Sequence, residues 1–282
     1  MQVGEALRRA QQSLGPVSDS AASDARVLLA DTLGTNTTWV LAHDRQALPS
    51  GMAKAFEDRV GRCAAGEPLP YVLGWWEFYR RRFEVTPDVL IPRPETELLV
   101  ERALHELKSR HGGARVVDIG TGSGCVAVTL AAETDAGRVF ASDLSRRALV
   151  VAMANAKRNG VGGRVRLVQA DLLEGLVGPW DVVCANLPYI GSGRLADLAA
   201  ARREPSMAFD GGAGGTEIAR RLVQSLHRRL ARDGVALLEM DEGQSKELSA
   251  AAHNTLGEAA VEIVHDLAGG ERLLVIRRRL ER

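Results

Sequence analysis

The chain has 282 residues, 45% of them apolar and 26% charged, and its 36 lysines and arginines are matched by 36 aspartates and glutamates. That length and composition suit one large or two modest globular domains, while zero net charge gives no support for a general nucleic-acid or membrane-surface binder. No apolar run is long enough to span a bilayer, and residues Met1 to Leu14 form a charged amphipathic stretch without a signal peptide's apolar core.

Val3 to Leu14, Ser20 to Leu33 and Ser50 to Ala65 carry apolar residues at helical spacing, with Gly34 and Gly66 where C-terminal caps belong. Asn36-Thr37-Thr38 caps a short helix through Ala42. This predicts a small helical bundle without a catalytic constellation, suited either to a structural role or to recognition of a macromolecular partner. Pro68-Leu69-Pro70-Tyr71 is expected to break the helices, and Glu77-Phe78-Tyr79 and Arg82-Phe83-Glu84-Val85 to form a hairpin. Prolines on both sides hold Arg93 in an extended loop, read here as a loop over a site. A helix, Thr96 to Lys108, opens with Glu95 and Glu97 at its dipole-favoured end.

Arg115 to Ile119 reads as a buried strand running into Gly120-Thr121-Gly122-Ser123-Gly124, with a helix from Cys125 to Ala132 behind it. Glycines in that turn let backbone approach a ligand closely. The dinucleotide fingerprint requires a third glycine where Cys125 stands, so the pattern points away from a pyrophosphate and towards a smaller zwitterionic ligand. The second strand, Arg138 to Ser142, delivers Asp143, placed to accept from two ribose hydroxyls or to cap the helix Ser145 to Asn159. The third, Arg164 to Gln169, is followed by Asp171 and Leu172, an acid and an apolar residue suited to an adenine's amino group and face, or again to a helix cap.

The fourth strand, Val182 to Ala185, delivers Asn186-Leu187-Pro188-Tyr189 at the carboxyl end, where open α/β sheets bind ligands. A stiff turn there can aim the Asn186 side-chain carbonyl and the Leu187 backbone carbonyl at one point. Two converging acceptors suit a planar NH2 group, with Tyr189 over its face; a plain strand end with a packed tyrosine is the alternative. Val235 to Met240 is a fifth strand, Ser245 to Leu256 a helix, and Ala259 to His265 with Arg272 to Ile276 a closing hairpin around Gly269-Gly270. The whole is a doubly wound sheet, parallel except for one strand. Cys63, Cys125 and Cys184 show no metal spacing and are expected as reduced core thiols, and the six histidines form no cluster, so no metal site is expected.

In order along the chain, Gly66-Glu67-Pro68-Leu69-Pro70-Tyr71-Val72-Leu73-Gly74, Glu77-Phe78-Tyr79, Phe83, Leu90 to Glu97, Asp118 to Gly124, Asp143, Asn186 to Tyr189, Glu204 to Gly212, Glu239 and Gly243-Gln244 resemble the peptide-chain release factor N5-glutamine methyltransferases. The resemblance runs from about Glu67 to the C-terminus, and the helical N-terminus is similar only in kind. It implies a seven-stranded, Rossmann-like class I methyltransferase sheet (residues 94–282), a β-hairpin linker (75–93) and an N-terminal helical substrate-recognition domain (1–74).

The implied cofactor is S-adenosylmethionine, held by Gly120 to Gly124, Asp143, Asp171, Leu172 and Asn186, with S-adenosylhomocysteine as product. Asn186, Leu187, Pro188 and Tyr189 carry the catalytic and substrate-binding roles, with Arg93 on the substrate side. The implied partners are class I release factors, met by a cytoplasmic monomer without direct nucleic-acid contact. Leu187 departs from the family's usual Asn-Pro-Pro-Tyr yet keeps the backbone carbonyl that the family uses, and some members have an aromatic where Leu172 stands. Asn-Leu-Pro-Tyr also resembles ribosomal RNA adenine-N6 methyltransferases, so methylation of adenine in RNA or DNA is the competing function. A non-catalytic cofactor-binding module is a third.

Overall fold

The computed structural model describes residues 1–110, 113–135, 137–198 and 200–278, which fall into two compact units, Met1–Trp75 and Trp76–Arg282.

In the first unit the helical apolar spacing gives α1 (Val3–Leu14), α2 (Ala21–Leu33), α3 (Thr37–Ala42) and α4 (Ser50–Ala64). Val3, Leu14, Leu28, Leu29 and Phe56 are buried among them. Asn36 caps α3 through a bond from Trp39 N to its Oδ1, 2.8 Å. Asp31 accepts from Arg59 at 2.8 Å and from Trp75 Nε1 at 2.8 Å. The Pro68–Tyr71 stretch does not merely break helices, because a further short helix, α5 (Leu69–Leu73), starts there. Pro70 lies in its first turn, where a missing N–H leaves no helical bond unmade.

The hairpin of β1 (Trp75–Phe78) and β2 (Arg81–Glu84) starts at the last residue of the first unit and otherwise belongs to the second. Its turn is Tyr79-Arg80, both at positive φ, 48° and 58°, so Tyr79 belongs to the turn rather than the strand. Phe78 and Phe83 sink into the core and meet edge to face at 6.0 Å. Then follow α6 (Thr96–Lys108), β3 (Val116–Ile119), α7 (Cys125–Glu133), β4 (Val139–Asp143), α8 (Arg146–Arg158), β5 (Val165–Gln169), β6 (Trp180–Ala185), α9 (Glu217–Arg229), β7 (Leu230–Glu239), α10 (Ser245–Leu256), β8 (Ala260–His265) and β9 (Glu271–Arg277).

The sheet has seven strands in the order β5-β4-β3-β6-β7-β9-β8, with β9 antiparallel to both neighbours and the first five parallel. Continuous apolar strands mark a sheet covered on both faces. Along β6, Val182 and Cys184 join the core with α6 and α7, while Val183 and Ala185 join the core with α9 and α10. The alternation carries forward, so Asn186 leaves the sheet on the α6 side and Leu187 on the α9 side. The sheet also reverses its winding between β3 and β6, both of which leave the carboxyl edge at the same place. All three cysteines are buried and free.

Candidate active site

The turn after β3 is shaped by one buried carboxyl. Asp118 Oδ2 accepts from the Thr121 hydroxyl at 2.6 Å and from Ala127 N, in the first turn of α7, at 3.2 Å. Burial pushes its pKa up to about 7 in spite of those bonds. Gly124, at φ 80°, precedes α7, and a Cβ there would lie 3.0 Å from the Ala152 Cβ. Asn155, fully buried on α8, ties this turn to the hairpin: its Nδ2 donates to Ser123 O (2.8 Å) and Glu84 O (2.9 Å), and its Oδ1 accepts from Glu84 N (2.6 Å). Sequence reading missed Asn155, since its partners lie 32 and 71 residues away.

Asp143, at the end of β4, accepts from Gly122 N (2.8 Å) and Ser145 N (2.8 Å), one bond to each oxygen. Burial raises its pKa, and the backbone N–H groups offset part of that. The next helix is capped by Ser145, which accepts from Ala148 N at 3.2 Å, so Asp143 is not itself the cap. Leu172 takes a positive φ of 51°, and its carbonyl accepts from the Ser142 hydroxyl at 3.0 Å. Asp171 pairs with Arg221 on α9 at 2.7 Å.

These groups border one cavity at the carboxyl ends of the strands. Of the residues expected at the site, Gly120, Gly122, Asp143, Asp171, Leu172, Asn186, Leu187 and Pro188 line it, together with Val89, Leu90, Pro205 and Met207. Thr121 and Ser123 are buried and serve the turn's own bonds. Tyr189 lies beyond the cavity, beside a neighbouring cleft with Arg194, Asp241 and Gln244. Burial pushes its phenol up to about 12. Arg93 is engaged elsewhere: its guanidinium meets Glu204 at 2.5 Å, and the other Glu204 oxygen accepts from Ile91 N at 3.0 Å. Glu204 thereby fastens the proline-flanked loop to the segment carrying Pro205 and Met207.

The turn after β6 is held on three sides. Asn186 Nδ2 donates to the Thr96 hydroxyl at the start of α6, 2.9 Å away. Tyr189 O accepts from Gln244 Nε2 at 2.8 Å. Ile190 exchanges backbone bonds with the Phe209–Gly211 stretch, its N–H donating to Phe209 O and its carbonyl accepting from Gly211 N, each 2.9 Å. The Leu187 side chain packs into the core beneath, its Cδ2 3.0 Å from where a Gly120 Cβ would stand. A branched side chain therefore fills the space over Gly120 without displacing the turn.

Chemically, the cavity combines a glycine turn open to close backbone approach, a carboxylate with spare lone pairs one strand over, and an apolar floor at Leu172 and Leu187. That combination fits an adenosine bearing a zwitterionic tail: the carboxylate for ribose, the apolar residues for adenine, the turn for the tail. Among the described residues no cluster of three or more His, Cys, Asp or Glu could hold a metal, and no helix is long and apolar enough to cross a membrane.

Residues 5–74 match the family described as PrmC N-terminal domain, and residues 95–199 match that described as ribosomal protein L11 methyltransferase. The second match runs from the start of α6 through the glycine turn and the Asp143 strand to just beyond the Asn186 turn. The release factor glutamine methyltransferase of Nitratidesulfovibrio vulgaris is 37% identical over 281 residues, covering 97% of this chain and 94% of its own. That of Bordetella pertussis is 40% identical over 259 residues, covering 89% and 92%. A ribosomal protein L11 methylase from Lactobacillus delbrueckii subsp. bulgaricus shares the fold, with TM-score 0.51 and 23% identity over 73% of this chain and 91% of that one. With near-full-length relatives of that identity spanning both units, the chain belongs to the release factor glutamine methyltransferases.

Proposed function

We propose that this chain transfers a methyl group from S-adenosylmethionine to the side-chain amide nitrogen of the glutamine in the Gly-Gly-Gln loop of class I release factors. The observation that carries the reading is Asn186. Its NH2 is tied to Thr96, so the amide atom left for the cavity is the acceptor Oδ1. The Leu187 carbonyl, one residue on, is the second acceptor.

An amide nitrogen is a poor nucleophile because its lone pair is delocalised into the carbonyl. The cofactor supplies a sulfonium-bound methyl electrophilic enough to meet it. The chain's part is to accept both amide hydrogens. This fixes the NH2 plane, favours the positive charge that grows on nitrogen, and holds the nitrogen in line. No base is required before transfer, in keeping with a turn that carries no His or Lys; the S–CH3 bond breaks as the N–CH3 bond forms, and the surplus amide proton leaves to water afterwards. Asp143 serves the ribose, Gly120 to Gly124 the amino-acid tail, and Asp171 with Leu172 the adenine. Arg93 orders the loop above the cavity through Glu204. Residues 1–74 serve as the part that grips the release factor away from its loop, since a single glutamine offers little surface and a specific protein interface buries about 1,200–2,000 Å².

The test is methyl transfer from labelled S-adenosylmethionine to intact release factor, to a peptide of its loop, and to ribosomal RNA. Label in the intact factor, abolished when the loop glutamine is replaced by alanine, is the expected result. Label in RNA alone would replace this reading with adenine-N6 methylation.

A further inference from the structure

Glu239 ends β7 on the same side of the sheet as Asn186, one strand away, and is buried at 4% exposure. The Thr96 side chain stands close enough to hold its pKa down, and among the described residues its buried Oε2 has no hydrogen-bond partner. A buried carboxyl with an unused oxygen is costly to keep, and the fold gains nothing that a glutamine or leucine would not supply.

We propose that Glu239 and Thr96 are positioning residues for the reaction, forming a relay that orients and polarises Asn186. The Thr96 hydroxyl has one proton, and the carboxylate takes it. Thr96 then has only lone pairs to offer Asn186, which must turn its NH2 inward. Asn186 Oδ1 is left facing the cavity, and it cannot flip without placing two acceptors together. Negative charge on Glu239 strengthens Thr96 as an acceptor. Thr96 in turn draws density through the Asn186 amide towards Oδ1, the atom read here as the acceptor for the substrate amide. The role in catalysis rests on that reading, whereas the relay itself belongs to the free chain.

The carboxyl answers to charge on every side: Arg272 from β9, Arg93 and Glu95 ahead of α6, Tyr189 after β6 and Cys125 at the start of α7. Burial is the largest influence and lifts its pKa to about 7, so the relay switches within the physiological range. Once protonated, Glu239 can donate to Thr96 instead of accepting from it, as the glutamine NH2 of a Glu239→Gln variant can, and the constraint on Asn186 is lost.

Two readouts on the full chain test this. The first is the side-chain NH2 resonance of Asn186, followed by NMR between about pH 5 and 9 without substrate. It should titrate near neutrality in the wild type and in Thr96→Ser, and not in Glu239→Gln or Thr96→Val. The second is methylation of intact release factor. Glu239→Gln and Thr96→Val should lose roughly ten- to a hundredfold in kcat, as when the outer partner of an orienting side chain is removed, with KM and cofactor affinity within about twofold. Thr96→Ser should restore most of the rate, and Glu239→Gln should flatten the acid limb of the kcat profile. An Asn186 resonance that ignores pH, or Thr96→Val at wild-type kcat, overturns the relay. If the resonance titrates as stated but intact factor is never methylated, the relay stands and the glutamine reading falls.

Discussion

Glu239→Gln should make the protein more stable at the pH where it makes it slower. Raising a carboxyl from an ordinary 4.5 to about 7 penalises its charged form by roughly 3 kcal/mol, at about 1.4 kcal/mol per tenfold. Below about pH 4.5 the group is protonated in folded and unfolded chains alike, and it contributes no difference. Between about 4.5 and 7 the folded chain keeps a proton that the unfolded chain has released, so stability falls as pH rises. Above 7 the full deficit is present. Glutamine keeps the shape but cannot ionise. The variant should therefore match the wild type near pH 4.5 and exceed it by up to roughly 3 kcal/mol near pH 8. Asp118, lifted by burial to about 7 as well, titrates in the same window and cancels in the difference between the two proteins. Urea unfolding of both at several pH values supplies the measurement. A stability difference that stays flat with pH, or a variant weaker at pH 8 than at pH 5, would refute a buried, penalised carboxylate at this position. A variant that gains stability while losing kcat also separates the relay from general damage, which lowers both.

Asp143→Ala should weaken S-adenosylmethionine binding about tenfold or more, since hydrogen bonds to a charged acceptor contribute roughly 1.5–3 kcal/mol; calorimetry showing unchanged affinity removes the ribose assignment. Asn186→Ala should abolish most of kcat while costing less cofactor affinity than Asp143→Ala, because an acceptor for the reacting amide acts mainly in the transition state; near-normal kcat with weak cofactor binding would reverse the two roles. Gly124→Ala should destabilise by about 2–4 kcal/mol, combining the cost of an L-residue at left-handed φ with a Cβ forced against Ala152 at 3.0 Å. A loss under about 1 kcal/mol by urea unfolding would mean that the turn relaxes freely.

What was legible in the chain followed from local rules. Strands of four to six apolar residues, a glycine turn and an asparagine at a strand end announce themselves within a few positions, and the structure puts eight of the expected residues around one cavity. The helix α9 was legible too and went unread: Ala219, Leu222, Val223 and Leu226 hold helical spacing and are all buried. The parallel pair β6 and β7 also requires a crossover of that length. Sequence starts β7 at Val235, five residues late: Leu230 already pairs with Trp180, but the strand then runs through the polar, partly exposed Ala231-Arg232-Asp233 of a register shift before its apolar stretch. What sequence reading could not reach are partnerships across the fold. Thr96 lies 90 residues from Asn186, and Glu204 lies 111 from Arg93; no periodicity connects them.

Those distant partnerships explain the proline-flanked stretch better than proximity to a site does. Arg93 is fastened to Glu204, Thr96 to Asn186, and Glu97 accepts from the Tyr79 backbone at 2.8 Å, holding a hairpin turn whose two residues both sit at positive φ. Three residues within a span of five thus fix the loop over the cavity, the acceptor at its edge and the hairpin beside it. Each task demands a side chain at one position of a helix start, with no tolerance for sliding by a residue. Pro92 and Pro94 narrow the backbone options ahead of α6, so the register of its first turn is set before the helix forms. On this argument the prolines matter less for holding an arginine over substrate than for delivering Thr96 to Asn186, and the geometry of the acceptor pair depends on where that helix begins.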